Sequence, residues 1–377
     1  MVSTGQACAC AFEHSACVDE DGDLWTMGNN LYGKLGIEMT TQVMPRPCRV
    51  PGLKNIVGVS CGRMFTACVD CNGSVYTFGC NYFKQLGTGS TERWHSVRRV
   101  PDLPPVLSVH CGGHHLTCLD FDSNLWGVGG NEYRQLAQPL EGKIEVPCVI
   151  ATDVRMVSCG GNHTVIVDKD DDISAVGSNR LGEVGGTDIA VSSWRKIESS
   201  PLITDLITDI ACGWSSTYVL SAGVVYTMGF NGKGQLGNGL PEVVHSNVLT
   251  PLESLPPIVR LYAGETHCIL KDKDGEYWGF GNNSSAQLLS TPTELTKSIF
   301  TPIKISCPAL KTCEEFYTGG NHCIMRCSDQ MFIVGCNHAS QLGIPIRDCV
   351  YPPEQLPQEC SNVLRHPFTS RKKSARK

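Results

Sequence analysis

The chain consists largely of short apolar runs separated by turns rich in aspartate and glycine. Runs such as "TACV" (66–69) lead into turns such as "DCNG" (70–73), and a second run such as "VYTFG" (75–79) follows each turn. β-Branched and aromatic residues on both sides of an Asp-Gly or Asn-Gly turn predict a β-hairpin. Successive hairpin copies are separated by steps of 22–29 residues with a weaker pattern, which leaves room for two more strands and a loop.

The hairpin belongs to a unit that recurs seven times along the chain. Each copy has 26 or 27 residues, and one asparagine recurs in every copy at spacings of 51, 50, 48, 52, 52 and 54 residues. Four strands per unit, repeated seven times, predict an all-β fold, a seven-bladed β-propeller of four-stranded blades. The repeat cores are residues 10–36, 61–87, 111–137, 159–185, 212–237, 263–289 and 318–343.

Composition narrows the class of protein. The 377 residues are 41% hydrophobic and 18% charged, as in a folded globular protein with a substantial core. No stretch approaches 18 uninterrupted apolar residues and no secretory signal is recognisable, so we expect no membrane contact. The 21 cysteines are odd in number and sparse for a disulfide scaffold. We therefore expect reduced thiols and a cytoplasmic or nuclear location, with a secreted disulfide protein as the alternative.

The charge is unevenly distributed. The net charge is −6, but the last thirteen residues carry six Lys/Arg and no acid. The remainder has 25 basic and 37 acidic residues, which is unfavourable for general nucleic-acid binding. The basic tail is a separate element with its own chemistry.

The segment "CGGHHLTC" (111–118) raises the question of a zinc site, because it holds two cysteines and two histidines. Comparison of the repeats favours interior packing instead, since a metal ligand could not exchange with aliphatic residues. The column of Cys118 reads Cys17, Cys68, Cys118, Ile166, Val219, Leu270 and Met325. The column of His115 reads His14, Phe65, His115, His163, Ser216, His267 and His322. We expect no metal and no cofactor.

Two further columns have predicted structural roles. The recurring histidines are expected to donate hydrogen bonds to the backbone or hydroxyls of the next strand, because a buried imidazole needs a partner. The Gly-x-Asn sequence at each hairpin exit predicts a backbone turn with positive φ or a tight approach between strands.

These motifs resemble the repeat of the regulator of chromosome condensation family. The "C-G-x-x-H-T" start, "D-x-D-G" turn, "V-Y-T-F-G-x-N" strand and "G-Q-L-G" exit match it in order and spacing over about residues 7–365. The resemblance implies a seven-bladed propeller closed by a blade shared between the two chain ends. We expect residues 346–368 to supply the missing outer strands of that blade, so that the N- and C-terminal segments pair. One propeller domain would then cover residues 1–365, and residues 366–377 would form a disordered basic tail.

Three functions are compatible with this family. The first is a non-catalytic propeller that docks a protein partner on a loop face, as a regulator or scaffold, because no catalytic motif was found. The second is guanine-nucleotide exchange on a small Ran-like GTPase, which the family's founding member performs. The family's exchange factor for Ran carries an extra β-wedge in one blade, and no gap between the present copies is long enough for one. The third is chromatin association through the basic tail residues Arg371, Lys372, Lys373, Arg376 and Lys377.

One predicted loop, "STERWHSVRRV" (90–100), concentrates basic and aromatic side chains on an otherwise acidic body. Tryptophan and arginine are enriched at binding hot spots, so this loop is a candidate partner contact. The alternative is that the tryptophan caps a blade and the arginines are ordinary surface charges. The candidate residues are Arg93, Trp94, His95, Arg98 and Arg99.

Overall fold

A computed structural model describes residues 6–38, 42–138, 142–197, 203, 205–293, 296–328 and 330–357. Its strands form seven separate antiparallel sheets, each of four strands consecutive in sequence. The predicted seven-bladed propeller of four-stranded blades is confirmed. Two short 3-10 helices, Leu31–Gly33 and Pro308–Thr312, are the helical elements of the described residues, and no helix there is long and apolar enough to cross a membrane.

The blades follow one another along the chain. The strands of blades 1 to 3 are β1 (Cys8–Cys10), β2 (His14–Val18), β3 (Leu24–Asn29), β4 (Val43–Arg49), β5 (Ile56–Cys61), β6 (Phe65–Asp70), β7 (Val75–Cys80), β8 (Trp94–Arg99), β9 (Val106–Cys111), β10 (His115–Asp120), β11 (Leu125–Gly130) and β12 (Lys143–Ala151). The strands of blades 4 and 5 are β13 (Val154–Cys159), β14 (His163–Asp168), β15 (Ile173–Ser178), β16 (Ala190–Lys196), β17 (Ile207–Cys212), β18 (Ser216–Ser221), β19 (Val224–Phe230) and β20 (His245–Pro251). The strands of blades 6 and 7 are β21 (Ile258–Ala263), β22 (His267–Asp272), β23 (Tyr277–Asn282), β24 (Ser298–Ile305), β25 (Cys313–Thr318), β26 (His322–Cys327), β27 (Gln330–Asn337) and β28 (Arg347–Gln355).

The first strand of each blade lies nearest the axis of the ring, where the first strands of adjacent blades contact one another. The second strands are almost entirely buried, and the fourth strands are the most exposed. The apolar core lies between blades: Phe65 and Leu86 of blade 2 pack in one cluster with Val109 and Leu116 of blade 3. The hydrophobic effect therefore holds each blade to its neighbours.

The hairpin turns are stabilised by the aspartate that precedes them. The Oδ1 atom of Asp19 accepts hydrogen bonds from the backbone N–H groups of Asp21 and Asp23, and its Oδ2 accepts one from the indole N–H of Trp25 at 2.7 Å. Asp120 makes the same contacts in blade 3, and Trp126 donates to it. The carboxylate thus ties the turn to the aromatic residue of the following strand.

The Gly-x-Asn exits have the predicted geometry. The glycine φ values lie between +100° and +119° in all seven blades, and a Cβ on Gly229 would lie 2.5 Å from the carbonyl oxygen of Ser215. The asparagine then closes the following loop from inside. In blade 5 the Asn231 Oδ1 accepts from the Leu236 N–H at 3.0 Å, and its Nδ2 donates to the carbonyls of Leu240 and Val243.

The expected blade shared between the chain ends is wrong. Blade 1 is built from β1 to β4 alone, and β28 pairs with β27 as the outer strand of blade 7. The two ends meet by packing of complete blades: the Gly320 N–H donates to the Ala11 carbonyl at 3.0 Å, and Met27 packs with Ile324 and Leu342. A complete seventh blade leaves no strand position for the other terminus to fill.

Candidate protein-binding face

The histidines of the repeat hydrogen-bond mainly to hydroxyl groups, as predicted, but these belong to the neighbouring blade and not to the next strand. The Thr164 hydroxyl donates to the Gln135 carbonyl at 2.7 Å, so the Nε2–H of His115 donates to it at 3.0 Å. His163 reaches Thr217 in the same way. Burial lowers the pKa of His115 to about 3 and that of His163 to about 4, so both rings are neutral. Equivalent contacts are made by His14 to Thr66, His267 to Cys323 and His322 to Ser15.

The cysteine columns are interior positions of separate blades. Cys118 is 2% exposed and packs with Val109 and Leu116. The Cys111 thiol donates to the carbonyl of Ser60 on the neighbouring first strand at 3.4 Å. Every cysteine of the described residues is a free thiol, and within those residues no group of three or more potential ligands is placed to hold a metal ion.

The ring has two faces of different chemistry. The upper face is formed by the loops that join strands one and two and strands three and four of each blade. The lower face is formed by the hairpin turns and by the connections to the next blade. At the centre of the upper face, backbone hydrogen bonds join the loops at six of the seven blade junctions in a nearly complete circle: Gly161 N–H donates to Trp214 O (2.9 Å), Trp214 N–H to Glu265 O (2.8 Å) and Glu265 N–H to Gly319 O (3.1 Å). This circle fixes the loops at the axis.

Large side chains project from only some positions of this circle. The column that contains Phe12, Arg63, Trp214 and Glu265 is glycine in the three remaining blades. A Cβ on Gly161 would lie 2.7 Å from the Trp214 ring, so glycine there gives the indole room to lie over the axis. The Arg63 guanidinium lies 5.5 Å from the centre of the Trp214 ring, a cation–π contact.

A cleft of about 240 Å³ opens beside this pair. Its lining residues are Arg63, Phe83, His114, Gly130, Glu132, Tyr133, Gln135, Asn162 and Trp214. Burial, with help from the charge of Arg63, lowers the pKa of His114 to about 4, and its Nδ1 is buried without a hydrogen-bond partner. Burial raises the pKa of Glu265 to about 7, although Arg63 opposes that shift. The cleft therefore combines a neutral imidazole, aromatic walls and one cation.

The cleft is the inner end of a continuous group of rings and cations that we call the aromatic–cation band. It runs from the outer edge of blade 2 to the axis. The Arg93 guanidinium lies 5.6 Å from the Tyr82 ring, and the Lys143 ammonium lies 5.5 Å from the Phe83 ring and donates to the Tyr82 carbonyl at 2.6 Å. The band's members are Tyr32, Arg63, Tyr82, Phe83, Arg93, His114, Tyr133, Lys143, Arg180 and Trp214.

Several cations of the lower face are paired with carboxylates. Lys169 pairs with Asp153 at 2.7 Å, and Lys304 pairs with Glu276 at 3.3 Å. Arg49, Arg155 and Lys196 have similar partners there. In the band, by contrast, the cations Arg63, Arg93, Lys143 and Arg180 rest on aromatic rings, and none lies within 4.0 Å of a carboxylate of the described residues.

The candidate segment 90–100 is not a single loop: residues Trp94–Arg99 form β8, the outer strand of blade 2. His95 is 2% exposed and bonds to Thr88 and Ser96, so it is unsuited to direct partner contact. Arg98 pairs with Glu92 at 2.7 Å.

Of the remaining residues in this segment, Trp94 is 44% exposed, and Arg93 belongs to the band. Arg99 is exposed near the lower end of β8, opposite Tyr76. The basic tail, Arg371, Lys372, Lys373, Arg376 and Lys377, lies outside the described residues.

The sequence carries a signal for the axial residues in the columns where the copies differ. Arg63 and Trp214 stand in a column otherwise rich in glycine, and Tyr32, Phe83 and Tyr133 share a column that is not aromatic in the other four blades. A side chain that differs from the other copies at its position does not serve the packing that the copies share. Such departures mark the surface at which the seven blades differ.

Comparison with known families agrees with this fold. The RCC1-like domain family matches residues 3–239, and the regulator of chromosome condensation (RCC1) repeat matches residues 222–270. The chain belongs to the RCC1-like domain family. This membership confirms the resemblance seen in the repeats. The relatives that the chain resembles include RCC1 and RCC2 proteins.

Relatives share short stretches of sequence with this RCC1-like propeller. The RCC2 homolog of Xenopus laevis is 36% identical over 85 residues, which are 22% of this chain and 16% of that protein. The ultraviolet-B receptor UVR8 of Arabidopsis thaliana is 38% identical over 85 residues, 22% of this chain and 19% of that protein. The matched stretches therefore span less than one fifth of these relatives.

Two solved structures share the whole architecture. Prp20p from Saccharomyces cerevisiae, described with its binding properties to Gsp1p and histones, superimposes with a TM-score of 0.75 at 20% identity, covering 84% of this chain and 81% of that one. Human WBSCR16 superimposes with a TM-score of 0.76 at 21% identity and covers 87% of each chain. At this identity the likeness concerns the fold.

Proposed function

We propose that this RCC1-like propeller is a non-catalytic interaction protein that binds a partner protein on its upper face, around Arg63 and Trp214. The observation that carries the proposal is the aromatic–cation band. Tryptophan, tyrosine and arginine dominate binding hot spots, and here they are gathered on one face. Arg63 and Trp214 stand on loops that the backbone circle holds in place, so little conformational entropy of these loops is lost on binding.

The test compares partner capture by the wild-type protein and two double variants. Arg63→Ala with Trp214→Ala removes the axial contact, and Lys54→Ala with Lys273→Ala changes two exposed lysines of the lower face as a control. We expect the wild type and the control to capture the same partner proteins. The upper-face variant should capture about tenfold less of them, or even less than that. The strongest such partner is then purified and its Kd measured. Equal capture by all three proteins would contradict the proposal.

Guanine-nucleotide exchange is the second candidate. It is supported by the fold shared with Prp20p, which is described as binding Gsp1p. An exchange factor must insert groups into the nucleotide site of the GTPase, and among the described residues every blade consists of four strands without an added hairpin. Release of a fluorescent nucleotide from purified Ran-type and Rab-type GTPases decides between the candidates. Acceleration by catalytic amounts of the propeller would replace the first proposal with the second.

Chromatin association is a third candidate, based on the basic tail and on the histone binding described for Prp20p. Nucleosome binding that weakens with salt and disappears on deletion of residues 369–377 would support it. The upper-face variants above serve as controls, because they leave the tail intact.

A further inference from the structure

We propose that the aromatic–cation band binds an acidic, extended segment of the partner protein. This inference rests on the proposed function and specifies the chemistry of the partner. The segment would place its carboxylates on the four cations of the band and its apolar side chains on the rings between them.

The charges of the band are complementary to those of an acidic segment. Several cations on the lower face already have carboxylate partners, such as Arg49 with Asp23 at 2.6 Å. Arg63, Arg93 and Arg180 instead have one side of the guanidinium against an aromatic ring. A guanidinium stacked on a ring keeps its N–H groups at the edge, where a carboxylate can accept two of them. These N–H groups are therefore open to the carboxylates of a partner molecule.

The rings of the band form a continuous path. Tyr32 and Tyr82 meet edge to face at 5.6 Å between ring centres, and Phe83 lies 4.4 Å from the ring of His114, which lines the axial cleft. The cations are thus joined by a path of rings from the rim to the axis. An extended chain advances about 3.3 Å per residue with side chains alternating in direction, which suits contact with successive elements of such a path.

A nucleic acid also combines negative charge with flat rings, but the charges of this protein favour an acidic peptide. The chain has a net charge of −6, and the carboxylate of Glu132 lines the cleft. A continuous phosphate backbone needs many neutralising contacts for affinity, and the band offers four. A peptide can carry its acids only where the cations are and leave other positions neutral.

The experiment uses the full chain and defined probes. Fluorescence anisotropy measures binding of a labelled peptide of about twelve residues in which glutamate and aspartate alternate with leucine and serine. A second peptide replaces every acid with lysine, and a third probe is single-stranded oligo(dT). One protein variant, the upper-face reversal, combines Arg93→Glu, Lys143→Glu and Arg180→Glu. The control, the lower-face reversal, combines Lys54→Glu and Lys273→Glu.

We expect the acidic peptide to bind the wild type, with affinity that falls as salt rises. The upper-face reversal should weaken binding about tenfold or more, whereas the lower-face reversal should change it less than about twofold. Tighter binding of oligo(dT) or of the lysine peptide, or equal loss in both reversal variants, would overturn the inference. Circular dichroism and thermal unfolding of both variants establish that they are folded.

The same variants distinguish failure of the inference from failure of the proposed function. Suppose that a purified partner no longer binds the Arg63→Ala, Trp214→Ala variant but still binds the Arg93→Glu, Lys143→Glu, Arg180→Glu variant. That result would overturn the inference of an acidic segment and would leave the proposed interaction on the upper face intact. If every upper-face variant still bound all partners, both the proposed function and the acidic-segment inference would be wrong.

Discussion

Single residues of this protein divide into those that repeat and those that do not. The seven asparagines of the hairpin exits are buried and close a loop with both ends of the amide, as Asn231 does in blade 5. The buried histidines each bond to a neighbouring blade. Arg63 and Trp214, which break the repeat, are at the surface of the upper face. At this scale, similarity between copies marks packing and difference marks the candidate contact surface.

Replacing Asn231 with alanine tests the role of the repeated asparagine. The change leaves the Leu236 N–H and the carbonyls of Leu240 and Val243 without their partner, so we expect a loss of about 3 kcal/mol in the free energy of unfolding. Urea unfolding followed by tryptophan fluorescence measures it. Asn72→Ala, at an exposed turn position, should cost less than about 0.5 kcal/mol. Similar losses for both variants would contradict the role.

At the scale of elements, the junction between two blades depends on glycine at the start of each first loop. A Cβ on Gly112 would lie 2.1 Å from the His115 ring and 2.6 Å from the Gly160 carbonyl oxygen of the next blade. Hairpin propensity predicted each blade from its own sequence, because the strands and turns are local. The contact between blades is made by residues about 50 positions apart, so its geometry came only with the structure.

Gly112→Ala is therefore expected to strain the junction between blades 3 and 4. An extra methyl group in a packed interior costs about 1–3 kcal/mol, and the denaturant midpoint should fall accordingly. Blade 1 carries Ala11 at the same column, and Ala11→Gly should cost less than about 1 kcal/mol. The idea that close backbone approach requires the glycine would fail if Gly112→Ala unfolded at the wild-type midpoint.

At the scale of the whole molecule, the ring is closed by contacts of one kind at every junction. Ser15 of blade 1 hydrogen-bonds to the His322 ring and to the Gln341 carbonyl of blade 7, as the threonines do between other blades. The last junction is thus equivalent to the internal ones, and the shared blade that the resemblance implied is not needed.

The buried histidines make the ring sensitive to acid. Burial lowers the pKa values of His115 and His322 to about 3 and those of His163 and His267 to about 4, against 6.5 for an unfolded chain. Below pH 6.5 the unfolded chain binds protons that the folded ring does not, so stability falls from about pH 6.5 towards pH 4. Each group contributes up to about 1.4 kcal/mol per pH unit in that window.

Glu265 has the opposite effect on stability, because burial raises its pKa to about 7. Its protonated form stabilises the folded protein at low pH, and this contribution to the free energy of unfolding is lost as pH rises through 7. The four buried histidines together outweigh this single group. The slope of unfolding free energy between pH 6.5 and 4 should become smaller in His115→Phe, which copies Phe65 of blade 2, and remain unchanged in His245→Gln at an exposed site. Identical slopes in all three proteins would refute this account.

The sequence by itself determined the number of blades, the strands of each hairpin and the interior role of its cysteines and histidines. These follow from local hydrophobic alternation, turn chemistry and comparison of the copies, which are all readable along one dimension. Only the tertiary structure decided how the ring closes and that Arg93 and Trp214, 121 residues apart, belong to one surface. Closing the circle brings together loops from different blades, and no local pattern records which departures from the repeat will become neighbours.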